Sequence, residues 1–455
     1  MFHPQAYLEN DAWSVLAVAS WMITWWVTEA VPIPITALLP LVLFPLTGVF
    51  DVKTATAPYG SPIIFLFMGG FMLALAMEKH NLHKRIALNL IRITGTNGNG
   101  IILGFMIATA ALSMWISNTA TAVMMLPIAL SVVNLLQNGN DSQNFNKFKL
   151  ALLLSIAYSA NIGGMGTIIG TPPNVVLVGY MESFYGHGID FFDWMLVSVP
   201  VVIVLIFVTY LLLVKVLYPN KLGAIDGADA LLSKELEALG SWTKEQRLVA
   251  IIFGLTAAGW VFKKQINLMI GEPILNDTVT AMAGGIAMFC VPVNEEGVLL
   301  MNWNAMKELP WGILILFGGG LCLAKGMEIS GIVNLLAEAA SNNDGVAIWI
   351  VIAMLTTIML FMTEVMSNVA LTTIMIPVVL GIANGLGIEP IYLAAPVTMA
   401  ASCAFMMPIS TPPNAVVFSS GYVRMRDMMK AGVVLNIISI LILVLVSVTL
   451  LKWVF

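Results

Sequence analysis

The segment SNTATAVMMLPIA at residues 117–129 recurs in related form as SNVALTTIMIPVV at residues 367–379, and these two stretches decide the fold. They share a Ser-Asn pair and a later proline at an offset of 367 − 117 = 250 residues. At the same offset, FMGGFMLALAME at residues 67–78 matches FGGGLCLAKGME at residues 317–328. This shared order of glycine pair, Glu, Ser-Asn and proline indicates an internal duplication.

A Thr-Pro-Pro-Asn motif follows each Ser-Asn motif, at residues 171–174 and 411–414, with an offset of 411 − 171 = 240. The loop 137–148 of the first half accounts for the change in offset. Proline has no N–H donor and disfavours helix at the residue before it, so we expect Thr171 and Thr411 in non-helical backbone. Each motif therefore predicts a broken helix whose freed carbonyl groups face a cavity. A plain proline kink would explain one motif but not its recurrence.

The composition places the chain in a lipid bilayer. Of 455 residues, 59% are hydrophobic and 10% are charged, whereas a soluble domain carries about 25% charged residues. The net charge of −5 comes without a basic patch, so nucleic acid is not an expected partner. Uninterrupted apolar stretches predict spans at about 12–31, 33–50, 60–78, 193–217, 247–263, 277–293, 310–325 and 431–451. Interrupted apolar segments predict re-entrant hairpins at 100–136 and 345–387 and broken helices at 149–182 and 391–421.

The Lys and Arg residues predict the orientation, because cytoplasmic loops carry more of them. With the N-terminus outside, 15 of the 20 basic residues are cytoplasmic, and the others fall outside: Lys53, Lys263, Lys264, Lys325 and Lys452. The same threading inverts the second half relative to the first. We therefore expect inverted repeats at 1–217 and 247–455, joined by a charged cytoplasmic linker at 218–246. The short loops suggest a prokaryotic inner membrane.

The breaks supply neutral oxygen atoms and helix ends in place of charges. Hydroxyl, amide and free carbonyl oxygens suit a small cation such as Na⁺. The half-helix after each break directs N–H groups and its positive dipole end at the same place, which suits an anion. Each half therefore predicts adjacent cation and anion sites. Polar residues also join packed membrane helices, but that alternative does not account for their recurrence beside the Thr-Pro-Pro-Asn motifs.

Two acidic residues fall within predicted membrane segments, Glu29 and Glu364. Ionisable residues in a membrane are functional candidates, but each carboxylate could equally cap a half-helix or form an internal pair. Both interpretations stay open. All Asp and His residues lie in loops or at predicted span ends. The predicted membrane core therefore lacks an acid–base constellation, so an intramembrane enzyme is not expected.

Several stretches carry a resemblance to a known family: WWVTEAVPIPITALLPLVLFPLTG at 25–48, SNTATAVMMLPIA at 117–129, TEVMSNVALTTIMIPV at 363–378 and the two Thr-Pro-Pro-Asn motifs. Over nearly the whole chain, the sequence resembles the divalent anion/sodium symporter family of sodium-coupled dicarboxylate, citrate and sulfate carriers, in the form of the bacterial dicarboxylate transporters. The resemblance implies an all-α integral membrane protein with an inverted-topology repeat. Because some members have an additional N-terminal helix, it implies ten or eleven transmembrane helices, two re-entrant hairpins and two broken helices.

The family also implies a homodimer in which each subunit has a scaffold and a transport domain that slides across the membrane as an elevator. Carried over to this chain, the scaffold comprises helices at about 12–95, 193–217 and 247–340. The transport elements are then about 100–182 and 345–421, and a last helix follows at 431–451.

The resemblance implies two sodium sites and one substrate site. The first sodium site would use Ser113, Ser117, Asn118 and the Gly170 carbonyl. The second would use Thr363, Asn368 and carbonyls near Met366 and Ser410. Substrate carboxylates would meet Asn118, Thr119, Thr171, Ser367, Asn368 and Thr411. Val369 stands where some dicarboxylate carriers have a second Thr, which removes one hydroxyl and leaves the exact anion open.

The expected function is a sodium-coupled symporter that imports C4-dicarboxylates such as succinate, malate or fumarate. Na⁺ would be co-transported, and no organic cofactor is expected. The absence of Arg or Lys at the carried-over cation positions favours sodium coupling over exchange, since a fixed positive charge would replace the ion in an exchanger. A dicarboxylate exchanger without sodium coupling and a sodium-coupled citrate or sulfate carrier remain the alternatives.

Overall fold

The computed structural model describes residues 10–95, 97–137, 142–223, 225, 227–294, 297–341 and 347–455. Within these ranges the chain is mainly helical, and an isolated β bridge joins Pro292 and Leu299. The helices before residue 217 are α1 Asn10–Thr28, α2 Ile33–Thr36, α3 Leu39–Thr47, α4 Val52–Thr56, α5 Pro62–Lys79, α6 Leu82–Ile93, α7 Gly98–Ser113, α8 Asn118–Gln137, α9 Gln143–Gly164, α10 Pro172–Tyr185 and α11 Phe191–Leu211.

The helices after residue 217 are α12 Ala228–Ala238, α13 Lys244–Val261, α14 Lys263–Ile270, α15 Asp277–Cys290, α16 Trp311–Ile329, α17 Ile332–Ser341, α18 Ile348–Met362, α19 Asn368–Gly385, α20 Pro390–Ala401, α21 Pro412–Ser419, α22 Met425–Val448 and α23 Leu451–Val454. A π-helical turn at Leu212–Leu217 continues α11. Among the described residues, six helices are long and apolar enough to cross a bilayer, and the bent pair α13–α14 makes up to seven. Shorter apolar helices accompany them. The all-α membrane architecture predicted from the sequence is confirmed.

The helix boundaries repeat with the same offsets as the sequence motifs. Helices α6, α7 and α8 begin 250 residues before α17, α18 and α19, and α10 begins 240 residues before α21. Within each half, both helices of a hairpin pack on the next helix: α7 and α8 pack on α9, and α18 and α19 pack on α20. The halves then cross, since α10 packs against α19 and α20 while α21 packs against α8 and α9. This crossing brings both helix breaks beside both hairpin turns.

Both proline motifs break their helices as predicted. Thr171 has φ −146° and ψ 141°, and Thr411 has φ −142° and ψ 149°, so both residues are extended immediately before a proline-initiated helix. The first break is short, because α9 continues to Gly164. The second is longer, because α20 already ends at Ala401. The two breaks therefore leave different amounts of backbone to be paired outside helices.

The charged segment between the halves contains helix α12, which lies against α6. Lys84 forms a salt bridge with Glu235 at 2.9 Å, and Arg92 forms one with Asp229 at 3.4 Å. Arg85 is buried and donates to the Gly240 carbonyl at 2.8 Å, just after the C-terminal end of α12. A cation at this position pairs with the carbonyl groups that the last turn of a helix leaves free. The linker is therefore held to α6 by charge.

The turn of the first hairpin packs on a stack of aromatic rings. The Trp115 ring lies 6.3 Å from the Trp260 ring and 5.1 Å from the Phe253 ring, both on α13. Beside this stack, Lys263 forms ion pairs with Asp190 and Asp277. Burial alone would raise the pKa of Asp190, but hydrogen bonds and charges from the neighbouring lysines lower that pKa below its ordinary value. These contacts anchor the first turn and the start of α11 to helices α13 to α15.

Candidate functional site

A cavity of about 970 Å³ lies where the two hairpin turns meet the two helix breaks. This volume is at the upper end of the range for small-molecule sites, about 300–1,000 Å³. Its walls include most residues that the sequence predicted: Ser117, Asn118, Thr119, Gly170, Thr171, Met366, Ser367, Asn368, Val369, Ser410 and Thr411. Ser113 and Thr363 are fully buried and do not line the cavity. The two halves thus contribute matching elements to one site.

Backbone carbonyl groups converge at the first break. A Cβ added at Gly170 would lie 2.5 Å from the Gly164 carbonyl oxygen, 2.9 Å from that of Met114 and 3.1 Å from that of Ser113. Glycine at position 170 is therefore needed for this close approach. The Ser113 hydroxyl also lies within hydrogen-bond distance of the Asn118 Oδ1 atom. Carbonyl, amide and hydroxyl oxygens are the ligands that a hard cation prefers, so the donor set fits Na⁺.

The second hairpin repeats one feature of the first. The Thr363 hydroxyl donates to the Ala401 carbonyl at 3.0 Å, as the Ser113 hydroxyl donates to the Ala160 carbonyl at 2.7 Å. In each half, the hydroxyl before the turn thus bonds the hairpin to the helix on which it packs. The Ser410 hydroxyl is held by the Met407 carbonyl at 2.6 Å. The same hydroxyl accepts from the Asn414 amide at 3.0 Å, so the Ser410 carbonyl stays the candidate cation ligand that the resemblance implies.

Glu364 pairs the free backbone N–H groups of the second break. Its side chain is buried, and its carboxylate accepts hydrogen bonds from the N–H groups of Phe405 at 2.8 Å, Met406 at 3.0 Å and Met407 at 3.1 Å. The Asn436 amide donates a further bond at 2.7 Å. Glu364 does not line the cavity. The sequence left open whether Glu364 acts on a ligand or pairs within the protein, and the structure favours the internal pairing.

Carboxylates are the charged groups that line the cavity. Glu29 follows α1 with φ 49°, and Glu78 and Glu308 join it in the lining. Among the described lining residues there is no Lys, Arg or His. An anion in this cavity would therefore depend on neutral donors, helix N-termini or bound cations.

The N-termini of α8 and α19 face the cavity, and a serine caps each of them. The Ser117 hydroxyl oxygen accepts from the Ala120 N–H at 3.1 Å, and that of Ser367 accepts from the Ala370 N–H at 3.5 Å. A hydroxyl that accepts in this way keeps its own proton for another partner. Both serines can therefore donate to an anion while they cap their helices.

Sequence reasoning missed Asn161 as a residue of the site. It is 1% exposed on α9, lines the cavity and hydrogen bonds to the second break. The signal was an amide side chain within the apolar run ALLLSIAYSANI at residues 151–162. Buried polar groups are generally hydrogen-bonded, so an amide within this apolar run predicts a polar partner on a neighbouring helix.

The family model for the sodium:sulfate symporter transmembrane region matches residues 1–455. The chain belongs to this family. The sodium:sulfate symporter family is a family of transporters, which agrees with the expectation that the chain is an integral membrane carrier and not an enzyme. The family predicted from the sequence motifs is thereby confirmed.

Curated relatives extend the match over nearly the whole chain. The sodium-dependent dicarboxylate transporter SdcS of Staphylococcus saprophyticus is 40% identical over 454 residues, covering 98% of this chain and 87% of the relative. SdcS of Staphylococcus aureus is 41% identical over 453 residues, with the same coverage of 98% and 87%. Both relatives carry the name of a sodium-dependent dicarboxylate transporter.

Solved structures show the same fold at low sequence identity. The Alcanivorax borkumensis YdaH transporter aligns with a TM-score of 0.62 at 12% identity, covering 97% of this chain and 98% of that chain. Neisseria gonorrhoeae MtrF aligns with a TM-score of 0.59 at 13% identity, covering 97% and 95%. At such identities the likeness concerns the fold alone, and this member of the sodium:sulfate symporter family shares that fold over nearly its whole length.

Proposed function

We propose that the chain is a sodium-coupled symporter that imports C4-dicarboxylates such as succinate, malate and fumarate. The observation that carries the proposal is the single cavity in which both turns and both breaks present oxygen atoms and helix ends without a basic side chain among the described lining residues. A dianion there needs compensating positive charge, because an unpaired buried charge is strongly unfavourable. Co-bound Na⁺ supplies it. Relatives about 40% identical are named sodium-dependent dicarboxylate transporters, which supports sodium coupling and a dicarboxylate substrate.

In this proposal two Na⁺ ions flank the anion. One binds at Ser113, Ser117, Asn118 and the Gly170 carbonyl, where the converging carbonyl oxygens support it. The other binds at Thr363, Asn368 and the carbonyls of Met366 and Ser410. The anion then meets Asn118, Thr119, Thr171, Ser367, Asn368 and Thr411, and Val369 contributes an apolar contact. The cations bind first, because the anion is poorly held without them.

The cavity opens toward the cytoplasm in the proposed topology. Glu29 follows the end of α1, Glu78 lies at the end of α5 and Glu308 precedes α16. In the topology that the Lys and Arg distribution supports, all three are cytoplasmic. We infer an inward-open carrier in the inner membrane with its N-terminus outside. The hairpins and broken helices, 100–182 and 345–421, would move as a unit against the remaining helices, and two subunits would form a homodimer.

Uptake of labelled succinate into proteoliposomes tests the coupling. We expect accumulation under an inward Na⁺ gradient and none when K⁺ replaces Na⁺. Uptake that does not depend on Na⁺ but requires internal dicarboxylate would contradict the proposal and identify an exchanger. Unlabelled malate and fumarate should compete, and stronger competition by citrate or sulfate would reassign the substrate.

Asparagine variants test the site itself. Asn118→Ala or Asn368→Ala should abolish uptake while the protein still purifies as a folded species. Asn134→Ala is the matched control, because Asn134 lies on α8 like Asn118 but is exposed. Near-normal uptake by both site variants would refute the assignment.

Accessibility and mass measurements test topology and assembly. With the native cysteines replaced, Lys53→Cys should react with a membrane-impermeant maleimide in right-side-out vesicles, and Lys234→Cys should not. The reverse pattern would invert the proposed orientation. Light scattering of the purified protein should give twice the 49.1 kDa chain mass after correction for detergent, and a monomer mass would contradict the homodimer.

A further inference from the structure

Asn161 joins the two halves of the molecule at the cavity wall. It lies on α9 of the first half, and its Nδ2 atom is 3.0 Å from the Thr411 Oγ1 atom of the second half. The same nitrogen lies 3.3 Å from both the Ala404 carbonyl oxygen and the Asn414 Oδ1 atom. Asn161 therefore contacts the second break through its amide nitrogen.

The carbonyl groups around the two amides determine their orientation. A backbone carbonyl only accepts hydrogen bonds, so the Asn161 atom that faces Ala404 must be the nitrogen. Asn414 donates to the carbonyls of Ala404 at 2.9 Å and Met407 at 3.0 Å, which directs its Oδ1 toward Asn161. Of the three acceptors near this nitrogen, the Thr411 hydroxyl oxygen is the nearest, and the amide nitrogen can only donate to it.

This bond sets the direction of the Thr411 hydroxyl. A hydroxyl that accepts from an amide N–H cannot direct its proton at that nitrogen. Among the described residues, the Thr411 hydroxyl proton has no acceptor, and Thr411 lines the cavity. The proton is therefore available to a ligand in the cavity. An anionic carboxylate accepts such a bond, and hydrogen bonds to charged groups are the stronger ones.

The matching threonine of the first half has no such partner. Thr171 is 1% exposed, and its hydroxyl oxygen is without a hydrogen bond among the described residues. At the offset of 240 residues that aligns the two Thr-Pro-Pro-Asn motifs, the position of Asn161 corresponds to Ala401, whose side chain has no donor. The hydroxyl of the next residue, Ser402, makes no hydrogen bond to Thr171 either. The Thr171 hydroxyl is therefore free to rotate, whereas that of Thr411 is oriented. Asn161 makes the two halves of the site chemically different.

We propose that Asn161 is a positioning residue that orients the Thr411 hydroxyl as a hydrogen-bond donor to one carboxylate of the bound anion. The proposal rests on the proposed function, since it requires an anion in this cavity. An oriented hydroxyl donor binds an acceptor and cannot bind a group that itself donates. The part of the cavity beside Thr411 should therefore prefer a fully ionised carboxylate.

A double-mutant cycle tests whether Asn161 acts through Thr411. Transport kinetics would be measured in proteoliposomes for Asn161→Ala, Thr411→Val and the double variant. We expect Thr411→Val to raise the KM for the anion about tenfold, the loss of one hydrogen bond to a charged group. Asn161→Ala should raise it about threefold, because the hydroxyl remains but is no longer oriented. The double variant should match Thr411→Val alone, with the kcat and the Na⁺ half-saturation nearly unchanged.

Thr171→Val provides the matched control. Combined with Asn161→Ala, its effect on KM should multiply, since the Thr171 hydroxyl makes no hydrogen bond to Asn161. Multiplied effects in the Asn161→Ala/Thr411→Val double variant would overturn the proposal. A fall in kcat or a shift in Na⁺ half-saturation with an unchanged anion KM would also overturn it, because that pattern indicates a role in folding the break.

Two further measurements keep the outcomes separable. If Asn161→Ala does not fold, the isosteric Asn161→Asp replaces it. An acidic group there accepts a hydrogen bond from the Thr411 hydroxyl, so the KM should rise at least as much as in Thr411→Val. Adding Thr411→Val to Asn161→Asp should raise the KM no further.

The wild-type protein is first tested with succinate, citrate and sulfate, and the cycle uses the anion that it transports. Failure with succinate would reject the proposed function, while the cycle would still decide the role of Asn161.

Discussion

The first helix break, at residues 165–171, and the second, at 402–411, occupy matching places in the two halves but are built differently. The first is rich in glycine, since Gly163 and Gly164 end α9 just before the break and Gly170 lies within it. Each of these three glycines admits a neighbouring backbone or side chain to a distance that a Cβ would block. The second has no glycine. Its free N–H groups bind the buried carboxylate of Glu364 instead.

The difference shows two ways to unwind a helix inside a membrane. Unpaired backbone groups are costly where no water is available. In the first half, the absence of side chains lets carbonyl groups crowd together, which suits a cation. In the second half every residue of the break has a side chain. There the carboxylate of Glu364 accepts hydrogen bonds from the backbone N–H groups of residues 405–407. At the position of Glu364 the first half has Met114, so the duplicated halves have diverged at this point.

The largest expected effect comes from removing the acidic partner of the second break. Glu364→Ala leaves the N–H groups of residues 405–407 unpaired in a buried site, and breaking such an interaction costs about 3–5 kcal/mol. We expect a large fall in melting temperature, or no folded protein, by fluorescence-detected size exclusion. Glu29→Ala is the control. Because Glu29 is exposed, this variant should have the melting temperature of the wild type. A wild-type melting temperature for Glu364→Ala would show that the carboxylate does not support the break.

A second comparison concerns the two hairpin turns. Trp115 packs on the rings of α13, whereas its counterpart Val365 is 64% exposed. Trp115→Ala should destabilise the protein by about 3 kcal/mol, because it removes a large ring from a stack. Val365→Ala should change stability by less than about 0.5 kcal/mol. Chemical denaturation in detergent measures both, and equal effects would remove the distinction between the turns.

Gly170→Ala tests whether the carbonyl cluster of the first break binds a cation. The added methyl would lie among the carbonyl oxygens of Gly164, Met114 and Ser113 and would displace them. We expect the Na⁺ half-saturation of uptake to rise about tenfold, equivalent to about 1.4 kcal/mol. The matched control is Gly254→Ala on α13, where a Cβ meets nothing within 4 Å. Unchanged Na⁺ dependence in Gly170→Ala would place the cation elsewhere.

The smallest expected effect comes from making the two turns alike. Val369→Thr restores the hydroxyl that Thr119 provides in the first half. The new hydroxyl would add one hydrogen bond to the bound anion, which contributes about 0.5–1.5 kcal/mol. We therefore expect the KM for succinate to fall two- to fivefold. Competition assays with citrate and sulfate would show whether the preference among anions also changes. A higher KM for succinate would mean that the valine packs against the substrate.

Local features were predictable and contacts between the halves were not. The prolines after Thr171 and Thr411 made both residues extended, and the offsets of 250 and 240 residues anticipated where α18, α19 and α21 begin. Glu364 was recognised as unusual, but its sequence neighbours do not reveal whether it faces a ligand or the backbone. Asn161 was missed because its partner lies 250 residues away.

The sequence by itself determined that this chain is a membrane transporter with two broken helices, because hydrophobic length, proline chemistry and internal repetition are properties of local segments. Only the tertiary structure decided which polar groups meet. Hydrogen bonds act over about 3 Å, so the pairing of Asn161 with Thr411, and of Glu364 with the backbone at 405–407, depends on how the helices of the two halves cross. That crossing makes two nearly equivalent motifs into a cavity with two different ends.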